Sequence, residues 1–418
     1  MASFQEVYAL FLASSGVETD SRKSILNKLF FALKGENFDG NAYALNAIEK
    51  GASAAIVDQS EVASVHPKCF LVDDVLQTLQ ALASHHRKQF DIPVIALTGS
   101  NGKTTTKELI ASVLNSSHHV LATKGNLNNH IGVPLTLLGL TKKHSHALIE
   151  MGANHIGEID FLCHIAHPTH GIITNIGKAH LEGFGSLDGV LEGKTELYRF
   201  LEINKGIVII NDQDPKLIGA LRGNKNMMYS PKEYALLGDQ PTLKLRFNDT
   251  EINTQLVGNY NKTNIAAAVC VGDIFDIPLK KSVAAIEAYA PENHRSQLMS
   301  KNNKTIVIDA YNANPTSMHA AIAAFAKRSG KKAVLLGHMA ELGTYESDEH
   351  QALVDLVKSH DFEECYWVGK PYESMVSSNY FASVNELHAF LKNSPIKADQ
   401  LLIKGSRSAA LEKVLDSL

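Results

Sequence analysis

Short apolar runs alternate along most of the chain with stretches whose apolar positions recur at helical spacing. The runs Val94–Thr98, Ala147–Met151, Gly171–Asn175, Ile207–Ile210, Thr305–Ala310, Lys332–Gly337, Glu364–Gly369 and Gln400–Lys404 predict strands. The stretches Ser317–Lys327 and His350–Lys358 predict helices between the last four. Strand–helix alternation of this kind gives parallel, doubly wound sheets, so the expected class is α/β. Two breaks divide the pattern. Asp-Ile-Pro near Phe90–Pro93 ends a helical stretch before a buried strand, and Ala-Pro-Glu-Asn near Tyr289–His294 interrupts a helix of Val and Ala. The expected units are a small α/β domain over 1–90, a central domain over 91–290 and a Rossmann-like domain over 291–418. A length of 418 residues agrees, since domains run to roughly 100–200 residues each.

Composition narrows the class without naming a chemistry. Apolar residues make up 44% and charged residues 20%, a globular balance. The net charge of −4 supplies no bulk positive field for nucleic acid or an anionic membrane. No apolar run approaches the ~18 residues of a membrane helix. The apolar patch Tyr8–Ala13 has no basic residue before it, Arg22 being the first, so a secretory signal is not expected. Cys69, Cys163, Cys270 and Cys365 are far apart and read as reduced structural thiols rather than a zinc site. A cytoplasmic protein is the expectation, with neither nucleic acid nor membrane insertion.

The strongest local signal is Val94-Ile-Ala-Leu-Thr-Gly-Ser-Asn-Gly-Lys-Thr-Thr-Thr-Lys107. A buried strand enters Gly99-Ser100-Asn101-Gly102-Lys103-Thr104-Thr105, and a helix with Leu109, Ile110, Val113 and Leu114 on one face follows. Glycines allow a tight turn whose N–H groups face phosphate oxygens, and the helix N-terminus adds partial positive charge. Lys103 would reach the β/γ-phosphates and Thr104 would hold Mg²⁺. Leu97 occupies the first glycine position of the general G-x-x-x-x-G-K-[ST] pattern, so the loop is the shorter G-x-x-G-K-T form. Lys107 is expected to be solvated on the helix. Downstream, Glu150 ends the apolar run Ala-Leu-Ile, a position open to a metal-binding carboxylate or a solvated strand end. His180 follows another apolar run, and Lys194 lies in a helical stretch where an isolated lysine is ordinarily solvated.

Taken together, Thr98-Gly-Ser-Asn-Gly-Lys-Thr-Thr-Thr, Glu150-Met-Gly, His180-Leu-Glu-Gly-Phe-Gly and Lys194-x-Glu196 resemble the ATP-dependent Mur ligases. The resemblance covers nearly the whole chain. Thr19-Asp-Ser21-Arg22 and Leu29-Phe-Phe-Ala-Leu-Lys-Gly35 are similar to the family's uridine-nucleotide segment, with Asn41 where a His is usual. Gly125-Asn126-Leu-Asn-Asn129 and Gly132-Val-Pro134 resemble a stretch near the muramoyl substrate. Gly258-Asn-Tyr-Asn261-Lys-Thr-Asn264 is similar to the segment that packs against adenine, and Asn261 also reads as a helix N-cap. Asn293-His294-Arg295 stands where the family carries an Arg that reaches the γ-phosphate. In Asp309-Ala-Tyr-Asn312-Ala-Asn314-Pro315-Thr-Ser, Asp309 resembles a nucleotide contact, and Asn312 and Asn314 would line the closed site. Lys404-Gly-Ser-Arg407 is similar to a C-terminal substrate motif or is a basic strand-to-helix turn.

The resemblance implies a three-domain ligase that joins D-Ala-D-Ala to UDP-N-acetylmuramoyl-tripeptide through an acyl phosphate, acting as a monomer. It implies ATP and Mg²⁺, with Thr104, Glu150, His180 and Lys194 as metal ligands and Lys194 converted to a CO₂-derived carbamate. Lys103, Lys194 and Arg295 would carry the catalysis. The D-N-P-R string of the members that add diaminopimelate is absent. The alternatives are such a member, a folylpolyglutamate synthase, and a phosphate-loop module that only holds or hydrolyses ATP.

Overall fold

The computed structural model describes every residue except Asn224 and Asn293. It is built from parallel α/β sheets, and two compact units can be distinguished.

The first unit comprises Met1–Ala96, His118–Gly152 and Glu158–His170. Its N-terminal sheet runs in the order Val17–Glu18, Leu29–Phe31, Ala54–Val57 and Cys69–Leu71, parallel throughout. Leu29–Phe31 and Ala54–Val57 are buried at every position. Continuous apolar runs are what a parallel strand covered on both faces requires. Asp74 caps the helix Val75–Arg87 by accepting from the Gln77 N–H. The strand Val94–Thr98 starts in this unit, beside His146–Glu150 and then Val120–Ala122. The Ala147 N–H donates to the Pro93 carbonyl, and the Thr123 N–H to the Leu148 carbonyl.

The second unit comprises Leu97–Ser117, Ala153–Gly157 and Gly171–Leu418. It holds the end of Val94–Thr98, most of His170–Ile173, and the parallel strands Ile207–Asn211 and Lys225–Tyr229. A small antiparallel sheet follows from Tyr234–Gly238, Lys244–Phe247 and Thr250–Asn253. The last sheet has the order Gln297–Lys301, Lys304–Asp309, Gln400–Lys404, Lys332–Gly337, Glu364–Val368, Tyr380–Phe381. Only its first pair is antiparallel. Ile306, Ile308, Leu335, Leu401 and Ile403 of this sheet form a core with Leu387, Leu391 and Leu411.

Val94–Thr98, Lys332–Gly337 and Gln400–Lys404 match the sequence expectation residue for residue, and other strands shift by a residue or two at an end. The run predicted over Gly171–Asn175 ends as a strand at Ile173, because Thr174 and Asn175 turn their side chains to a neighbouring loop. The expected helices begin earlier than predicted, at Pro315 and Glu346. Among the described residues, no helix is long and apolar enough to cross a membrane.

Candidate active site

The loop after Val94–Thr98 is held from outside its own sequence. Gly99 has φ 140° and Gly102 φ 77°. A Cβ on Gly99 would fall 2.0 Å from Thr174 Oγ1, so both conformation and space demand glycine there. Thr174 Oγ1 and Asn175 Nδ2 both donate to the Asn101 carbonyl, at 2.6 and 3.0 Å. Ser100 Oγ donates to the Gly177 carbonyl and accepts the Gly177 N–H, at 3.0 and 2.9 Å. The helix Lys103–Asn115 begins directly after Gly102, with Thr104 and Thr105 half-buried on its first turn. Lys103 Nζ curls over the loop and donates to the Gly99 and Ser100 carbonyls. Lys107, expected in solvent, is fully buried and pairs with Glu108 at 2.7 Å. Its position faces the core side of the helix, which the apolar pattern alone did not distinguish.

A second helix braces the first. Asn264 Oδ1 accepts from Thr106 Oγ1 at 3.1 Å, and Asn264 Nδ2 donates to Asn261 Oδ1 at 2.8 Å. Asn261 is not the N-cap. It is the first residue of the helix Asn261–Ile274, Tyr260 holds the cap position, and Asn261 Nδ2 donates to the Val257 carbonyl. All these amides are buried, where an unmade hydrogen bond would be costly.

Asn314 joins the C-terminal sheet to the loop. It caps the helix Pro315–Ala326 through a reciprocal pair with Ser317, and its Nδ2 donates to Asn101 Oδ1 at 2.7 Å. Near the same strand ends, Lys404 is 1% exposed and its Nζ lies 2.5 Å from Asp309 Oδ2. Lys404 also donates to the Asn312 carbonyl at 3.4 Å. The Arg295 guanidinium stacks over the Tyr311 ring at 3.5 Å, and that of Arg407 approaches the same ring at 5.2 Å. Arg295 and Arg407 therefore share the Tyr311 ring, two residues along the chain from Asp309 and its partner Lys404. The neighbouring Asn293 lies outside the described residues.

Lys194 is fully buried on the helix Leu187–Ile203, not solvated. Its Nζ donates to the Ala153 carbonyl at 3.0 Å and lies 5.1 Å from the Phe184 ring. His180 has φ 53° and precedes the short helix Leu181–Phe184. Its Nδ1 lies 2.5 Å from Glu341 Oε2, with the ring N–H not aligned for a hydrogen bond. The His180 contact, with a smaller contribution from the charge of Lys103, holds the Glu341 carboxyl below its ordinary range.

In the first unit Glu150 is buried, where a solvated strand end was the other expectation. Its N–H donates to Thr123 Oγ1 and its Oε1 accepts from Asn128 Nδ2, at 3.0 and 2.8 Å. Asn129 Oδ1 accepts from the Gly132 N–H at 2.9 Å, and the Asn126 carbonyl accepts the Asn128 N–H. The Ser21 carbonyl accepts from Lys50 Nζ, and the exposed Arg22 forks onto Asp20. Asn41 is buried between Asp39 and Asp58 and donates to both.

Sequence reasoning missed Thr174, Asn175, Thr106, Asn128, Tyr311 and Glu341 as parts of these arrangements. Glu341 had a usable signal. It follows the buried run Lys332–Gly337, the same carboxyl-end position that singled out Glu150. The bracing role of Thr174 and Asn175 had none, because it depends on which strand lies beside Val94–Thr98.

Three family profiles match the chain: the Mur ligase family catalytic domain over residues 14–87, the Mur ligase middle domain over 97–272, and the Mur ligase glutamate ligase domain over 294–416. The UDP-N-acetylmuramoyl-tripeptide–D-alanyl-D-alanine ligase of Bacillus subtilis is 33% identical, covering 96% of this chain and 93% of that protein. The enzyme of the same name from Haemophilus influenzae is 36% identical over the same shares. Among solved structures, MurF from Acinetobacter baumannii has a TM-score of 0.86 at 31% identity, covering 98% of this chain and 97% of that one. MurF from Thermotoga maritima in complex with ADP has a TM-score of 0.84 at 27% identity, covering 97% of both chains. With profiles in all three parts and relatives of this identity over almost its full length, the chain belongs to the Mur ligase family.

Proposed function

We propose that the chain joins D-alanyl-D-alanine to UDP-N-acetylmuramoyl-tripeptide at the expense of ATP, a step of peptidoglycan precursor synthesis, and that it works as a monomer in the cytoplasm. The observation that carries this reading is the Asn314–Asn101 hydrogen bond, which ties the string Asp309–Ser317 to the phosphate loop. The names of the similar enzymes support it. In this reading residues 1–90 take the uridine nucleotide, with Ser21 and Arg22 among the contacts. Residues 91–290 take ATP, and 291–418 complete the ligase site. Asn126 and Asn129 would face the muramoyl peptide, and Asn312, Lys404 and Arg407 the substrates of the closed site.

The tripeptide carboxylate attacks the γ-phosphorus of ATP and ADP leaves, giving an acyl phosphate. The amine of D-Ala-D-Ala then attacks the activated carbonyl, loses a proton, and phosphate leaves. The first step brings two anions together. Gly99 to Thr105 cradle the phosphates with N–H groups, and Lys103 and Arg295 offset the repulsion and stabilise the moving charge. Asn261, Asn264 and Asp309 hold the nucleotide's other end. The incoming α-amine has an ordinary pKa of about 7.7–8, so part of it is neutral near pH 7–8 without a dedicated base.

The donor chemistry fits Mg²⁺. Among the described residues, no three His, Cys, Asp or Glu side chains converge as a ready cage. Mg²⁺ characteristically takes one or two protein oxygens and completes its shell with phosphates and water. Thr104 and Glu150 would supply oxygens and His180 a ring nitrogen. A buried ammonium at Lys194 would oppose a cation, whereas a carbamate there would add an anionic oxygen donor. Bound Mg²⁺ would neutralise phosphate charge.

The deciding experiment is ADP formation with a panel of UDP-muramoyl peptides, D-Ala-containing dipeptides and single amino acids. Turnover with a dipeptide is expected. Efficient addition of a free amino acid with no dipeptide activity overturns the reading in favour of a diaminopimelate-adding ligase.

A further inference from the structure

Arg295 stands between two residues of unusual backbone and against one aromatic ring. The antiparallel ladder of Gln297–Lys301 with Lys304–Asp309 ends where Gln297 faces Ile308. Just before it, His294 and Ser296 both take left-handed backbone, at φ 56° and 47°. Such backbone is costly for residues other than glycine and persists where its surroundings fix it. Here the Ala310 N–H donates to the His294 carbonyl at 3.0 Å, and the Ser296 N–H donates to Asp309 Oδ1 at 3.3 Å. Ser296 Oγ also shares a hydrogen bond with the Tyr260 hydroxyl at 2.9 Å. The chain on either side of Arg295 is thus fastened to the segment that leads into Tyr311, and the guanidinium lies 3.5 Å from the centre of that ring. Among the described residues neither Arg295 nor Arg407 is paired with a carboxylate, and Asp309 is engaged by Lys404.

We propose that Tyr311 is a positioning residue for Arg295, its ring holding the guanidinium in one place before any anion arrives. A free arginine side chain samples many rotamers, and ordering it on binding costs affinity or rate. Stacking removes that freedom in advance, through attraction between the cation and the electron-rich face of the ring. It uses the face of the guanidinium and leaves the in-plane N–H fork for oxygen acceptors. The Tyr311 hydroxyl has no hydrogen-bond partner among the described residues, so the ring is the part that acts. Arg407 approaches the same ring at 5.2 Å, so two cations meet where no carboxylate answers them. A phosphoryl group in transfer would supply the missing negative charge. That catalytic meaning rests on the ligase reading above, but the stack does not.

Mutation separates the ring from the hydroxyl. Arginine Nε–H NMR spectra of the full chain, recorded without nucleotide or substrates, should contain a resonance displaced upfield by an aromatic ring current. Arg295→Lys should remove that resonance and so assign it. Tyr311→Leu should return it to the ordinary range, and Tyr311→Phe should leave it displaced. In steady-state kinetics Tyr311→Leu should lower kcat by about 3–30-fold at unchanged KM for ATP, the loss to which a cation–π contact converts. Tyr311→Phe should keep most of kcat. In an Arg295→Ala background Tyr311→Leu should cost nothing further, because the ring acts through that side chain. The proposal is overturned if the wild-type Arg295 resonance is not displaced, if Tyr311→Phe loses as much kcat as Tyr311→Leu, or if the two losses add in the double variant. A displaced resonance in a protein that turns over no muramoyl substrate would keep the positioning role and sink the ligase reading instead.

Discussion

At the scale of single residues, three buried or half-buried lysines have three different futures under mutation. Lys103 is half-buried at a helix start and donates to two loop carbonyls, so Lys103→Ala opens no core cavity and should melt close to wild type. It should lose ~10²–10³ in rate, as expected for one donor at a site of moving charge. Near-normal turnover would refute its phosphate role. Lys194→Ala should abolish turnover, with partial rescue by small carboxylates that fill an anionic position. Labelled bicarbonate should give a carbamate carbon signal in the wild type that this variant lacks. Full activity would remove Lys194 from the site. Lys107 is buried and paired, so alanine there would confound packing with function. Lys107→Met keeps most of the stem's volume and is the cleaner comparison; its activity should exceed that of Lys194→Ala by a wide margin.

Two histidines set an acid limit at the same scale. Burial, reinforced by nearby positive groups, pushes His146 and His167 down from 6.5 to about 4. Between those values the unfolded chain binds more protons than the folded one, so the stability these groups contribute is full above 6.5 and is lost as pH falls toward 4. Calorimetric melting should therefore drop across that window, and His146→Gln should flatten the drop. An unchanged profile in that variant would locate the acid sensitivity elsewhere.

At the scale of elements, the phosphate loop depends on caps and braces more than on its own sequence. Asn314→Ala removes a helix cap, typically about 1 kcal/mol, and also the bond to Asn101. Denaturant unfolding should show that loss, and KM for ATP should rise. A stability loss with unaltered KM would mean that the cap serves the helix alone. Most of the loop was legible because the chemistry is local: two glycines, a lysine and a threonine in one turn after an apolar run. The parallel strands were legible because burial on both faces leaves unbroken apolar runs. The antiparallel sheet over Tyr234–Asn253 was not, since its strands are short and half-exposed and lack that signal. Burial of Lys107, Lys194 and Lys404 was illegible for the opposite reason. Each is a charge on a core-facing position; Lys194 and Lys404 meet the Ala153 carbonyl and Asp309, which only the fold brings near, while Lys107 pairs with its sequence neighbour Glu108.

For the whole molecule, the proposed ligase reaction predicts that phosphate release requires both UDP-muramoyl-tripeptide and D-Ala-D-Ala. Release with ATP alone at the full rate would mark an ATPase module rather than a ligase. One feature of the fold also bears on how the molecule is made. The Asn101 side chain meets Asn314, a partner 213 positions later in sequence. A chain growing from its N-terminus completes the glycine turn and its following helix long before that partner exists. During this interval the turn has its residues but lacks one of its outer supports. That support reaches the turn only once the last third of the chain has emerged and folded.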